Sequence, residues 1–306
     1  MGADWGSVDQ AEAGRILAAA ADAGVSSFDT ADVYGDGRSE QTIGAYLAAN
    51  PGLDITVATK MGRRMEQQPE NYTLANFRQW VDRSRRNPQT DCPDLVQLHC
   101  PPTSVYSRPE VYEALDTLVS EGVIRNYCVS VERTDEALEA ISHDGTATVQ
   151  IILNAFRLKP LEEVLPAAQA AGVGIIARVP LASGLLSGKY SRDTSFAAND
   201  HRNYNRSGAA FDVGETFSGV DFEQGLEAVA DFGKLVPAGA TTAQAAIAWI
   251  APQDGVSTVI PGTRSPEQAR SNAAAAAVME SIGRDFSDGV QEIYDRNFRG
   301  AVHPRW

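Results

Sequence analysis

Phe28-Asp29-Thr30-Ala31-Asp32-Val33-Tyr34, residues 28–34, is the stretch on which the fold turns. The apolar run Val25 to Phe28 leading into it reads as a buried strand. Gly35-Asp36-Gly37 behind it forces a turn. Asp29 is therefore expected at the C-terminal end of a strand and Tyr34 on the loop beyond. Two later strands end in the same way. Lys60 follows Ile55-Thr56-Val57-Ala58, and His99 follows Leu95-Val96-Gln97-Leu98. An acid, a phenol, an amine and an imidazole at the ends of different strands point to one site.

Outward from this stretch, helix-like and strand-like segments alternate along the chain. Helices are expected over 9–23 with Asp9 as cap, from a Ser39 cap to about 47, and over 74–87, 109–121, 134–142 and 161–171. Four more are expected over 221–235, 241–251, 265–277 and 286–298. Strands are expected to begin near 25, 55, 94, 124, 148, 173 and 256. They are short, apolar and not alternating, which suits a parallel sheet covered on both faces. This predicts an α/β fold, a (β/α)8 TIM barrel with extra helices near the C-terminus, in one domain spanning 1–306. An open doubly wound sheet is the competing architecture. It would carry G-x-G-x-x-G after its first strand, and the sequence has none there. Seven strands are one short of a closed barrel. The first strand is expected to be truncated or missing, because only Met1 to Val8 precede the first helix.

The 306 residues are 43% hydrophobic, enough for a large core, and carry a formal charge of −14. Such a surface repels nucleic acid and anionic membranes, so neither is expected as a partner. No apolar run approaches the roughly 18 residues of a membrane span. Three cysteines without close spacing, and no signal peptide, suit a reducing cytoplasm. His99 beside Cys100 does not make a metal site, since adjacent strand residues face opposite ways and no further ligand lies at suitable spacing. The oligomeric state is not legible.

Taken together, the motifs resemble the aldo-keto reductase family over nearly the whole chain. Asp29-Thr30-Ala31-Asp32-Val33-Tyr34-Gly35 is similar to its Asp-to-Tyr segment, Ala58-Thr59-Lys60 to its lysine strand, and Asp94-Leu95-Val96-Gln97-Leu98-His99 to its histidine strand. Gly122-Val123-Ile124-Arg125 with Val129-Ser130 resembles the fifth strand. The segment Val179 to Lys189 (Pro180, Leu181, Ser183, Gly184, Leu185 and Lys189 among it) resembles a dinucleotide-phosphate segment. So does Val259 to Ser265 with Gln268 and Asn272. The resemblance implies NADPH-dependent reduction of a small aldehyde or ketone, without metal or flavin. It implies Asp29, Tyr34, Lys60 and His99 as the catalytic tetrad and Ser130 as a cofactor contact.

The chemistry asks for those residue types. Carbonyl reduction needs a hydride on carbon and a proton on oxygen. A phenol holds its proton at neutral pH, and a nearby ammonium favours the phenolate. Lys60 would supply that ammonium, and Asp29 would hold Lys60 charged and in place. His99 would donate to the carbonyl oxygen. At Gly262, Thr263, Arg264 and Ser265 a loop runs from the last strand into a helix N-terminus, which binds anions. Arg264 is suited to a 2′-phosphate, and Gln268 and Asn272 share one helix face toward the adenosine. Gln150 and Asn154, an even interval apart on the sixth strand, can both face inward, toward a nicotinamide or into an internal polar network.

Three departures from the family pattern stand out. Val131-Glu132 follows Ser130 where Asn is usual, Arg178-Val179 replaces an aromatic that stacks on the nicotinamide, and the N-terminal hairpin and first strand are missing. Arg178 would stack on the ring or pair with an acid. The pocket is expected from residues near Trp5, the 100–108 loop with Tyr106, the stretch 186–220 and the tail 302–306. Asp200 to Arg206, basic and aromatic, reads either as a lid over phosphates or as a solvated loop. Trp306 would cover the site or anchor the terminus. Two competing functions remain: a cofactor-binding regulatory module, and a truncated paralogue without activity.

Overall fold

The computed structural model describes residues 9–88, 90–198, 200–209 and 213–306. Seven strands form one parallel sheet in sequential order: β1 (Ser27–Asp29), β2 (Thr56–Met61), β3 (Leu95–His99), β4 (Asn126–Ser130), β5 (Thr146–Ile152), β6 (Gly174–Arg178) and β7 (Val256–Ile260). The sheet curls into a nearly closed barrel of the (β/α)8 type. Among the described residues β1 and β7 do not pair with each other. The expected place of a first strand, Met1 to Val8, lies outside the described residues. β3, paired on both sides, is buried throughout, whereas β7, paired only with β6, is half-buried to exposed.

The helices are α1 (Gln10–Asp22), α2 (Arg38–Ala49), α3 (Leu74–Arg86), α4 (Pro109–Ser120), α5 (Thr134–Ile141), α6 (Lys159–Glu162) and α7 (Val164–Ala171). After the sixth strand come α8 (His201–Tyr204), α9 (Phe222–Leu235), α10 (Thr242–Ile250), α11 (Pro266–Ala273), α12 (Arg284–Asn297) and α13 (Arg299–Val302). Asp9 caps α1 by accepting from the Glu12 amide at 2.7 Å.

Three helix boundaries differ from expectation. Helix 161–171 is split at Glu163, because Pro166 cannot donate to the Glu162 carbonyl and its ring crowds that carbonyl. Helix 265–277 gives way to a 3₁₀ segment, Ala274–Ser281. Ser39 is not a cap; α2 begins after left-handed Gly37, and the Ser39 hydroxyl instead accepts from Thr30 at 2.7 Å.

Strand residues sort by parity. Odd positions of β2 and β6 and the corresponding outward positions (Met61, Val96, Leu98, Val129, Val149, Ile151, Ile175) pack against the helices in the main core. Ala58, Leu95, Cys128 and Ile176, with Ile260, form a separate apolar layer inside the barrel. The inward positions just beyond that layer are polar. Register brings Lys60 beside Gln97, Gln97 beside Cys128, His99 beside Ser130, and Ser130 beside Gln150. The site is therefore built above an apolar layer.

Candidate active site

The four residues expected at strand ends converge at the C-terminal end of the barrel. Lys60 is 2% exposed, and its ammonium bonds the Asp29 carboxylate and the Thr30 carbonyl, the latter at 2.9 Å. The other Asp29 oxygen accepts from Gln97 at 2.8 Å and from Gln150 at 2.9 Å. The acid is thus committed to the amine and to two amides. The Lys60 nitrogen lies 5.5 Å from the centre of the Tyr34 ring. The His99 ring meets Tyr34 edge-on, at 5.8 Å between centroids and 87° between planes.

Burial pushes the Lys60 ammonium down, but Asp29 and Tyr34 together outweigh it, and its pKa ends above the usual lysine value. Lys60 is a cation at any working pH. Burial, reinforced by Arg63, Lys60 and Arg178, holds His99 well below the usual histidine value. The imidazole is therefore neutral, and its Nδ1 is buried without a hydrogen-bond partner.

Tyr34 is placed by backbone pairing that outlasts β1. Thr30 donates to Ala58 at 2.8 Å and Asp32 to Lys60 at 3.1 Å. The chain then turns through three left-handed residues, Gly35, Asp36 and Gly37, with φ of 60°, 57° and 88°. Glycine is required at Gly37, where an added Cβ would lie 2.7 Å from the Asn87 amide nitrogen.

The remaining site expectations are placed as follows. Gln150 lies in the internal network, bonded to Asp29 and to Gln97, each at 2.9 Å. Asn154 is fully buried and donates to the Val179 carbonyl at 2.9 Å and the Ser218 hydroxyl at 2.7 Å. Ser130 is buried and accepts from Cys100 at 3.4 Å. Arg178 points inward from β6 and donates to the Val131 carbonyl at 2.8 Å.

Val179, Ala182 and Ser183 all have left-handed φ, 54°, 47° and 54°. A β-branched residue in that region is strained, and such strain collects at functional loops. This loop is fastened by Asn154 and by the Phe217 amide, which donates to Ser183 at 3.0 Å. Pro180 and Leu185 are buried, Leu181 is half-buried, and Lys189 is exposed. Gly184 makes room for Tyr190, since an added Cβ would lie 2.2 Å from its hydroxyl.

At the end of β7, Ser265 caps α11 by accepting from Gln268 at 3.2 Å, and Gln268 accepts from the Arg264 amide at 2.8 Å. Thr263 donates to the Ser265 carbonyl at 3.0 Å, and Asn272 to Gly262 at 3.4 Å. The Arg264 guanidinium is exposed and makes no ion pair with the described residues.

Three residues of the expected pocket segments have partners within the fold. Tyr106 is buried and donates to the Ser130 carbonyl at 2.9 Å. Arg202 is held by Asp200 at 2.5 Å and stacks 4.6 Å over Phe196, so one of the two arginines of the 200–206 stretch is neutralised within it. Trp306 anchors the terminus, with Arg157 4.2 Å over its ring and its carbonyl bonded by Thr134 at 3.1 Å. Trp5 lies outside the described residues. Sequence reasoning missed Gln97 and Cys128, whose thiol donates to Gln97 at 3.3 Å. The signal was a polar residue inside an apolar strand, two positions before His99.

Among the described residues no helix is long and apolar enough to cross a membrane, and no cluster of three His, Cys, Asp or Glu could hold a metal. The Aldo/keto reductase family model matches residues 1–286. The aldo-keto reductase YhdN of Bacillus subtilis is 30% identical over 275 residues, covering 87% of this chain and 79% of its own. The glycerol dehydrogenase of Gluconobacter oxydans superposes with a TM-score of 0.77 at 28% identity, covering 97% and 89% of the two chains. The holo form of an aldo-keto reductase from Bacillus halodurans gives a TM-score of 0.74 at 26% identity, covering 94% and 88%. Barrel, strand-end site and family match agree, and the chain belongs to the aldo/keto reductase family of oxidoreductases.

Proposed function

We propose that this protein reduces a small aldehyde or ketone to an alcohol with NADPH as cofactor. The observation that carries the reading is a buried lysine ammonium held between Asp29 and the Tyr34 ring, with a neutral His99 edge-on to the same phenol. The cofactor reading is supported by family membership and by the exposed Arg264 guanidinium, which makes no ion pair with the described residues, at the N-terminal end of α11. Arg264, Ser265 and the α11 amides would hold its phosphates, and the strained loop 182–185 would lie along it. NADPH, when bound, supplies the hydride.

The chain's residues handle the proton. Tyr34 gives its hydroxyl proton to the carbonyl oxygen, and Lys60 stabilises the phenolate that remains. Asp29 keeps Lys60 charged and directed, and its own charge is taken up by Gln97 and Gln150, away from the phenol. A neutral His99 donates an N–H toward the oxygen without competing for the proton. The test is NADPH oxidation against a panel of aldehydes and ketones, with Tyr34→Phe as control. Turnover abolished in Tyr34→Phe with NADPH binding retained supports the reading. Turnover that survives Tyr34→Phe refutes it, and tight NADPH binding without any turnover points to a regulatory module.

A further inference from the structure

Asp32 and Asp36 lie two residues before and two residues after Tyr34, and one guanidinium binds both. Arg64 donates to the Asp32 carbonyl from Nε at 3.1 Å and from Nη2 at 2.5 Å. Its Nη1 lies 2.7 Å from the Asp36 carboxylate, and its Nε 3.5 Å from Asp32 Oδ2. Arg83 of α3 holds the same Asp36 oxygen at 2.9 Å. Arg64 is four residues beyond Lys60, on the segment leaving β2. One stretch of chain therefore supplies both the ammonium that faces the phenol and the fork that grips the phenol's turn at both ends.

Two features mark this brace as built. Asp36 adopts φ of 57° between two left-handed glycines. A glycine there would relieve the backbone, so the aspartate is explained by its carboxylate, which bridges two arginines. An exposed ion pair adds little stability, and the Asp36 side chain is 83% exposed, so stability is not the explanation. Asp32 is fully buried, and neither carboxyl oxygen has a hydrogen bond. It sits beside Arg64 as a buried counter-charge. Behind it, buried Glu40 takes hydrogen bonds from Thr59 at 2.5 Å and Asn87 at 2.6 Å, which fastens α2 to β2 and to the end of α3.

We propose that Arg64 is a positioning residue for Tyr34, fixing its turn so that the phenol keeps its place against Lys60 and His99. The proposal rests on the reductase reading above. A planar fork is needed, because three of its nitrogens serve two groups on opposite sides of one turn, and a lysine cannot do this.

Arg64→Lys keeps the charge and loses the fork, and Arg64→Met loses both. In each, kcat is expected to fall about tenfold to a hundredfold, as for a slight misplacement of a reacting group. KM for the carbonyl and the NADPH dissociation constant are expected to change by less than about threefold. Asp36→Asn, which releases only the exposed end of the brace, is expected to give a smaller fall of the same kind. Labelling with 3-fluorotyrosine gives a readout independent of turnover. The Tyr34 fluorine resonance, identified by its loss in Tyr34→Phe, is expected to be single in the wild type and broadened or doubled in the Arg64 variants. Unchanged kcat with an unchanged resonance overturns the proposal. So does a fall in kcat matched by equal losses of NADPH affinity and Tm. A wild-type chain that reduces no carbonyl refutes the reductase reading instead, and the resonance still decides the brace.

Discussion

Asp32→Asn tests the electrostatics under the tyrosine turn. Asp32 has no exposed surface and no hydrogen bond to its carboxyl oxygens. Burial, with some help from Glu40, raises its pKa from 3.8 to about 6, although Arg64 and Arg83 pull the other way. The folded chain therefore holds this proton more tightly than the unfolded chain does. The group's contribution to stability is complete below pH 3.8 and is lost as the pH rises through about 6. A shift of this size corresponds to about 3 kcal/mol. Asparagine has nearly the same shape and no charge to bury, so it does not carry this loss. Urea unfolding of both proteins across the pH range is the assay. The stability gap is expected to move in the variant's favour by about 2 kcal/mol between about pH 4 and pH 7, because part of the loss has already occurred at the lower limit. A pH-independent term added to this change, of either sign, would come from local packing and leaves the prediction intact. A gap that stays the same at every pH would refute the reasoning, since Asp32 would then carry no ionisation penalty.

Three further outcomes follow from the site. Gln97→Leu removes a donor to Asp29 and the acceptor for Gln150 and Cys128, and should cost about 1–3 kcal/mol in denaturant unfolding. The His99 imidazole should remain neutral throughout about pH 6–8 by nitrogen NMR, as burial and three cations require; a protonation midpoint near the ordinary 6.5 contradicts this. Gly184→Ala brings a Cβ to 2.2 Å from the Tyr190 hydroxyl at a φ of 94°, so Tm should fall by several degrees, equivalent to about 1–3 kcal/mol.

The seven strands and the four strand-end residues were legible because they depend on local signals. Short apolar runs ended in a polar residue, and turn residues such as Gly35-Asp36-Gly37 followed them. The partners of those residues were not legible, because they depend on register. Gln150 reads equally as a ligand-binding amide or as part of an internal network until β4 and β5 are aligned and its nitrogen is found on Asp29, 121 residues away. The basic stretch 200–206 reads as a phosphate lid or a solvated loop, and only the fold shows Arg202 paired with Asp200 and stacked on Phe196. Which of the two readings of Trp306 holds was not legible for the same reason: an aromatic in a loop sequence carries no mark of which side it faces. The split at Glu163 was readable in principle, since Pro166 was in plain view.

Asp29 ends β1, and its carboxylate is bonded by side chains from β2, β3 and β5. In the proposed reaction, the group that orients Lys60 is also a fastening between four strands. That coupling bears on how such a protein can change over generations. A substitution that retuned the reaction at Asp29, Gln97 or Gln150 would loosen the barrel in the same stroke and be removed before any new chemistry could be selected. The loops beyond the strand ends carry no such double duty, and they tolerate exchange. Under the proposed reaction, lineages built on this arrangement are free to change which molecules they admit, and are held to one way of moving the proton.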